Sequence, residues 1–145
     1  MKKIYIINGP NLNFLGIREV EKYGTTNFQT LSGLLLEKAE ELNMEIENFQ
    51  SNIEGELVDY IQSIHDSPNS WIIINPGAFT HTSISLRDAI NSLSRQSKVI
   101  EVHISNIQER ENFRKYNLIS EFCEISIIGE GIEGYFQALD YINDN

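Results

Sequence analysis

Cysteine occurs once, at Cys123, and lysine plus arginine only 11 times against 21 aspartates and glutamates. A lone cysteine excludes an intramolecular disulfide and a cysteine-based zinc cluster, and it suits a reducing cytosol. The formal net charge of -10 argues against nucleic acid, whose phosphates require a basic face, and against an anionic membrane surface. Long apolar runs are lacking as well. The opening "MKKIYIINGP" is too short for a signal segment and is cut by Asn8 and Gly9, and nothing approaches a membrane-spanning length. Cytoplasm is therefore the expected compartment. The chain has no GxxxxGK[ST] phosphate loop, no GxGxxG after the first apolar run and no GxSxG elbow. Its three histidines, at 65, 81 and 103, make no metal motif. An anionic small molecule stays open as a ligand, provided that local cations overcome the global field.

What is present is an ordinary globular composition, 41% hydrophobic over 145 residues, which predicts a single domain over residues 1–145. Five β-rich runs stand out: "KIYIIN" (3–8), "EIENFQ" (45–50), "WIIIN" (71–75), "KVIEVHI" (98–104) and "CEISIIG" (123–129). Helical spacing separates them. Phe28, Leu31, Leu35, Ala39 and Leu42 make one stripe, Leu57, Ile61 and Ile64 a second, and Leu86, Ile90 and Leu93 a third. Ser51 with Glu54 fits a capping box, and Asn106 with Glu109 fits the cap of a short helix through "QERENFRKY". Ile132, Tyr135, Phe136, Leu139 and Ile142 mark the last helix.

Strict strand–helix alternation predicts a three-layer α/β/α fold with a five-stranded parallel sheet. The first, third and fourth runs are nearly continuous in apolar residues, whereas the second alternates like an edge strand. The order 2-1-3-4-5, the flavodoxin-like arrangement, follows. Such sheets hold ligands beyond the carboxyl ends of their strands, so the segments after strands one, three and four are the candidates for a site.

After strand one, Gly9 to Thr25 is long for a βα loop and contains "GIREVEKYG". Long loops of this kind are functional or disordered. Arg18 there reads equally well as a solvated partner of Glu19 or Glu21. After strand three comes "NPGAFTHTSISLRD", with Asn75 at the strand end and His81 ahead of a helix. Helix capping by Thr82 or Ser83, with His81 and Asp88 solvated, is the plainer meaning. After strand four, Glu101 and His103 are i and i+2 and share a face. A carboxylate beside an imidazole fixes its tautomer and stabilises the imidazolium, although a purely structural pair has the same spacing.

With these pieces placed, "INGPNLNFLGIRE…YG", "FQSNIEGELVDYI", "IINPGAFTHTSISLRDA", "VIEVHISNIQERENFR" and "GYFQAL" together resemble the type II 3-dehydroquinate dehydratases, in the family's order and over nearly the whole chain. The resemblance implies a flavodoxin-like domain that needs no metal and no organic cofactor, assembled as a homododecamer built from trimers. The implied reaction is anti elimination of water from 3-dehydroquinate through an enolate, giving 3-dehydroshikimate in the shikimate pathway. It further implies that Tyr23 takes the proton as tyrosinate and that Arg18 makes this possible. A guanidinium about 4 Å away at an effective dielectric of ~20 is worth about 4 kcal/mol, or roughly three pKa units. By the same resemblance Asn11 helps hold a water or the enolate oxygen, and His103 is the general acid oriented by Glu101. Asn75, His81, Asp88 and Arg114 then hold ring hydroxyls, and Ile104 and Ser105 the carboxylate. The segment at about 16–25 is the implied active-site lid. Val20 stands where many members have proline, and Ile53 and Glu130 also depart from the family pattern. A flavin-binding electron carrier and a silent paralogue are the competing readings. The first lacks its phosphate loop, and the second sits poorly with Arg18, Tyr23, Glu101 and His103 all being kept.

Overall fold

The computed structural model describes residues 1–17 and 25–145. Five strands, β1 (Lys2–Asn8), β2 (Met44–Gln50), β3 (Trp71–Asn75), β4 (Lys98–His103) and β5 (Ile125–Ile128), form one sheet. Its order is β2-β1-β3-β4-β5, and every pairing is parallel. The described helices are α1 (Phe28–Glu41), α2 (Glu54–Ile64), α3 (Ile84–Leu93) and α4 (Glu133–Asp144). The expected topology is the observed one.

Alternation along the strands sorts side chains to two cores. Ile4, Ile6, Ile73, Ile100 and Val102 face α1 and α4, meeting Leu31, Leu35, Leu139 and Ile142. Ile7, Ile72, Ile74 and Val99 face α2 and α3, meeting Leu57, Ile61, Leu86 and Ile90. Full burial of one such side chain is worth about 1.5–3 kcal/mol, so sheet register and helix phase are set together. β1, β3 and β4 are covered on both faces, whereas β2 and β5 at the edges stay partly exposed.

Local chemistry fixes the ends of the helices. The Asn27 side chain accepts the Thr30 N–H at 2.8 Å to start α1, and Asn43 (φ 56°) turns the chain out of it. Ser83 starts α3 by accepting the Leu86 N–H at 2.9 Å. Two expectations differ from what is found. Ser51 does not box with Glu54; its hydroxyl donates to Glu56 at 2.6 Å and accepts the Ile53 N–H, because α2 begins two residues later than a Ser51 cap requires. The helix expected through "QERENFRKY" is two 3-10 turns, Ile107–Glu109 and Asn112–Lys115, separated by an extended Arg110. Only Ile107 is buried there, so no apolar stripe exists to hold a longer helix against the sheet.

The loops after β1 and β3 are drawn together at the sheet's carboxyl end. Gly9 N–H donates to Asn75 O at 2.8 Å, and a Cβ on Gly9 would lie 2.3 Å from Pro76 O. Only glycine allows this approach. Among the described residues, no helix is long and apolar enough to cross a membrane.

Candidate active site

A cleft of about 100 Å³ opens where β1, β3 and β4 end. Pro10 and Asn11 enter it from the loop after β1, Asn75, Gly77 and His81 from that after β3, and Ile104 and Ser105 from that after β4. Arg114 closes it from the second 3-10 turn, and Arg110 from the extended link between the two turns. A larger groove of about 470 Å³ lies between α2 and α3, but no strand end supplies polar groups to it. The smaller cleft carries the convergent chemistry, at the place expected of a parallel sheet.

Beside the cleft, Glu101 and His103 point to the same face of β4 and are almost wholly buried. His103 Nε2 donates to Glu101 Oε2 at 2.5 Å. The carboxylate also accepts the Asn117 amide at 2.6 Å and the Ser126 hydroxyl at 2.6 Å. Burial alone would raise the Glu101 pKa, but the hydrogen bonds and charge of His103, with Ser126 and Asn117, hold it below its ordinary value. An ionised Glu101 accepts only, so Nε2 carries a proton and Nδ1 is the ring nitrogen left for chemistry. The arrangement can support an imidazolium that gives up the Nδ1 proton.

His81 is oriented by the backbone. Its Nδ1 donates to Tyr116 O at 2.6 Å, which leaves Nε2 available. Burial lowers its pKa, and the charges of His103, Arg114 and Arg110 add to that against the opposing Tyr116 bond. His81 thus offers a neutral lone pair, suited to accept from a hydroxyl. Arg114 is tied to Glu111 and lies against the Phe113 ring, and Arg110 reaches Ser105 Oγ at 3.4 Å. Asn11 adopts a left-handed backbone (φ 69°), its N–H donating to Asn52 Oδ1 at 2.9 Å. Asn75, only 3% exposed, donates to Tyr135 Oη at 3.0 Å and accepts the Gly77 N–H at 3.2 Å. Among the described residues, no group of three or more His, Cys, Asp or Glu side chains is arranged to hold a metal ion.

The structure brings six of the expected residues to one cleft: Asn11, Asn75, His81, Ile104, Ser105 and Arg114. It pairs Glu101 with His103 beside them. Asp88 is not brought there. It sits within α3 on the groove facing α2, because that helix leads away from the strand ends after Ser83. Arg18 and Tyr23 lie outside the described residues. Sequence reasoning missed Arg110, Asn117, Ser126 and Tyr135. Ser126 is an exposed residue alternating with the apolar positions of β5, a pattern that reads as a solvated strand face and not as a partner of Glu101. Asn117 had no periodic signal, and Tyr135 was absorbed into a helical apolar stripe.

Comparison with known proteins comes to the same place. Residues 2–143 match the family model described as dehydroquinase class II. A 3-dehydroquinate dehydratase of Caldicellulosiruptor saccharolyticus is 51% identical over 96% of this chain and 94% of its own. One from Lachnospira eligens is 46% identical over 98% of this chain and 96% of its own. The crystal structure of a type II dehydroquinase from Butyrivibrio crossotus superposes with a TM-score of 0.94 at 47% identity, covering 98% of this chain and 97% of that one. That of Propionibacterium acnes gives 0.95 at 37% identity, covering 100% and 98%.

Proposed function

The chain belongs to the class II dehydroquinase family, and from that premise we propose that it is a 3-dehydroquinate dehydratase of the shikimate pathway. It removes water from 3-dehydroquinate by anti elimination and yields 3-dehydroshikimate. The observation that carries the reading is the buried Glu101–His103 pair beside a cleft furnished with Asn75, His81, Ser105 and Arg114. Among the described residues, no lysine lines that cleft, in keeping with a reaction that uses no Schiff base. Enolate formation then needs a base and a stabiliser of negative charge.

In this reading Tyr23, held as tyrosinate by Arg18, removes the proton next to the ketone. Asn11 helps hold the water or oxygen on which enolate charge collects. His103 passes its Nδ1 proton to the departing hydroxyl while Glu101 stabilises the charged ring. Asn75, His81 and Arg114 hold ring hydroxyls, and the Ile104 N–H with Ser105 receives the carboxylate. The positive cleft within an acidic chain supports an anionic substrate.

The segment at about 16–25 acts as the lid of a single domain. The contact of Gly16 with Thr25, where a Cβ would come within 2.7 Å of the Thr25 carbonyl, supports this by joining the ends of the segment. The active form is a homododecamer of trimers working in the cytoplasm without metal or organic cofactor. Ultraviolet absorbance of the enone product tests the activity: purified protein given 3-dehydroquinate is expected to show a steady rise, and no rise overturns the reading.

A further inference from the structure

Behind Asn75, a polar chain runs through the core away from the cleft. Asn8 and Asn75 are register partners at the ends of β1 and β3, and both face α1 and α4. Tyr135 of α4 is 1% exposed and stands between them. Asn75 Nδ2 donates to Tyr135 Oη at 3.0 Å, and Tyr135 Oη donates to Asn8 Oδ1 at 2.8 Å. Asn8 Nδ2 donates onward to Phe49 O at 3.0 Å and Asn48 Oδ1 at 2.7 Å. Asn48 Nδ2 donates to Ser32 Oγ at 2.8 Å, and that hydroxyl to Phe28 O at 2.9 Å.

The polarity of this chain is imposed from its far end. Backbone carbonyls only accept, so Phe28 O and Phe49 O force the Asn48 and Asn8 amides to turn their N–H groups away from the cleft. Asn8 then presents its oxygen to Tyr135. The phenol must donate to it, which leaves its lone pair for Asn75. Burial pushes the Tyr135 pKa up, keeping that proton in place. Asn75 therefore turns Nδ2 inward, and the Gly77 N–H independently holds Oδ1. One N–H and one lone pair remain for the cleft.

We propose that Tyr135 is a positioning residue for the substrate. Through its hydroxyl it fixes the Asn75 amide so that a single donor and acceptor pattern meets a ring hydroxyl. The inference rests on the proposed function for the identity of that substrate. A site built to pair with hydroxyls discriminates by the groups left unpaired when its pattern is wrong.

Tyr135→Phe keeps the ring and removes the relay. With 3-dehydroquinate its KM is expected to rise about 5- to 30-fold, the scale of one misdirected buried hydrogen bond, with kcat changed less than about threefold. Asn75→Ala should raise KM similarly. The double variant Tyr135→Phe with Asn75→Ala should match Asn75→Ala within about twofold, since both remove one interaction. An unchanged KM in Tyr135→Phe, or effects that multiply in the double variant, overturns the proposal. If Tyr135→Phe does not fold, Asn8→Ala removes the acceptor that holds the phenol proton away from Asn75. The same KM rise and non-additivity are expected of it, and their absence overturns the proposal equally. A wild-type protein without turnover counts against the proposed function alone. Nitrogen-15 NMR then gives the answer: one Asn75 Nδ2 proton is expected to exchange slowly with solvent in the wild type and to lose that protection, with a changed shift, in Tyr135→Phe. Identical signals in both sink the inference.

Discussion

Glu101 keeps its charge inside the protein because three donors converge on it. Its folded pKa lies below the ordinary 4.5, so the stability it contributes is complete above that pH and lost as pH falls through the lowered value. Thermal unfolding of Glu101→Gln should accordingly depend less on pH than the wild type below pH 4.5. The same change removes the support of the His103 imidazolium, and kcat is expected to fall ~10²-fold. His81 titrates in the opposite functional sense. Its pKa is lowered from 6.5, so it stays a neutral acceptor down to a lower pH than a free histidine. Below its own pKa it becomes a donor, and KM should climb as pH drops through that range. A KM flat with pH there would remove His81 from hydroxyl binding. If Tyr23 is the base, Tyr23→Phe should lose ~10³-fold or more in kcat while calorimetry still detects substrate binding.

At the scale of elements, the loops after β1 and β3 behave as one unit because Gly9 and Gly77 let them touch. Gly9→Ala places a methyl against Pro76 O, and overpacking of this kind costs about 1–3 kcal/mol. Denaturant midpoints should show that loss together with a raised KM, since Asn11, Asn75 and His81 hang from these loops. The elements themselves were largely legible. Apolar periodicity in "WIIIN" and in the Leu57, Ile61, Ile64 stripe reports burial directly, and burial places strands and helices. The region from Asn106 to Lys115 was not legible, because its charges permit a helix by propensity while its lack of apolar residues denies that helix a surface to pack on. Residues on strands, such as Glu101 and His103, could be placed on one face from spacing alone. Asp88 could not be assigned a cleft, since a residue on a helix face reveals nothing about which cleft that face adjoins. Asn117 and Tyr135 meet Glu101 and Asn75 only through contacts distant in sequence, which no local pattern encodes.

Across the whole molecule, charge is segregated: a chain of net charge -10 gathers Arg110, Arg114 and His81 at one small opening. If this local field draws an anionic substrate, raising salt from about 0.05 to 0.5 M shortens the screening length to a few ångström and should raise KM. Insensitivity of KM to salt would contradict that. Sedimentation should find particles twelve times the mass of the 16.6 kDa chain. One contact has a consequence for how the molecule tolerates change. Gly16 (φ 82°) lies against the backbone of Thr25 and Thr26, so positions 16 and 25 are held side by side. Loop closure scales only logarithmically with length, at roughly 0.6 kcal/mol per doubling, and that contact fixes both ends whatever lies between. The sheet should therefore fold as before when the length of chain between positions 17 and 25 is changed with Arg18 and Tyr23 kept, and denaturant midpoints test this.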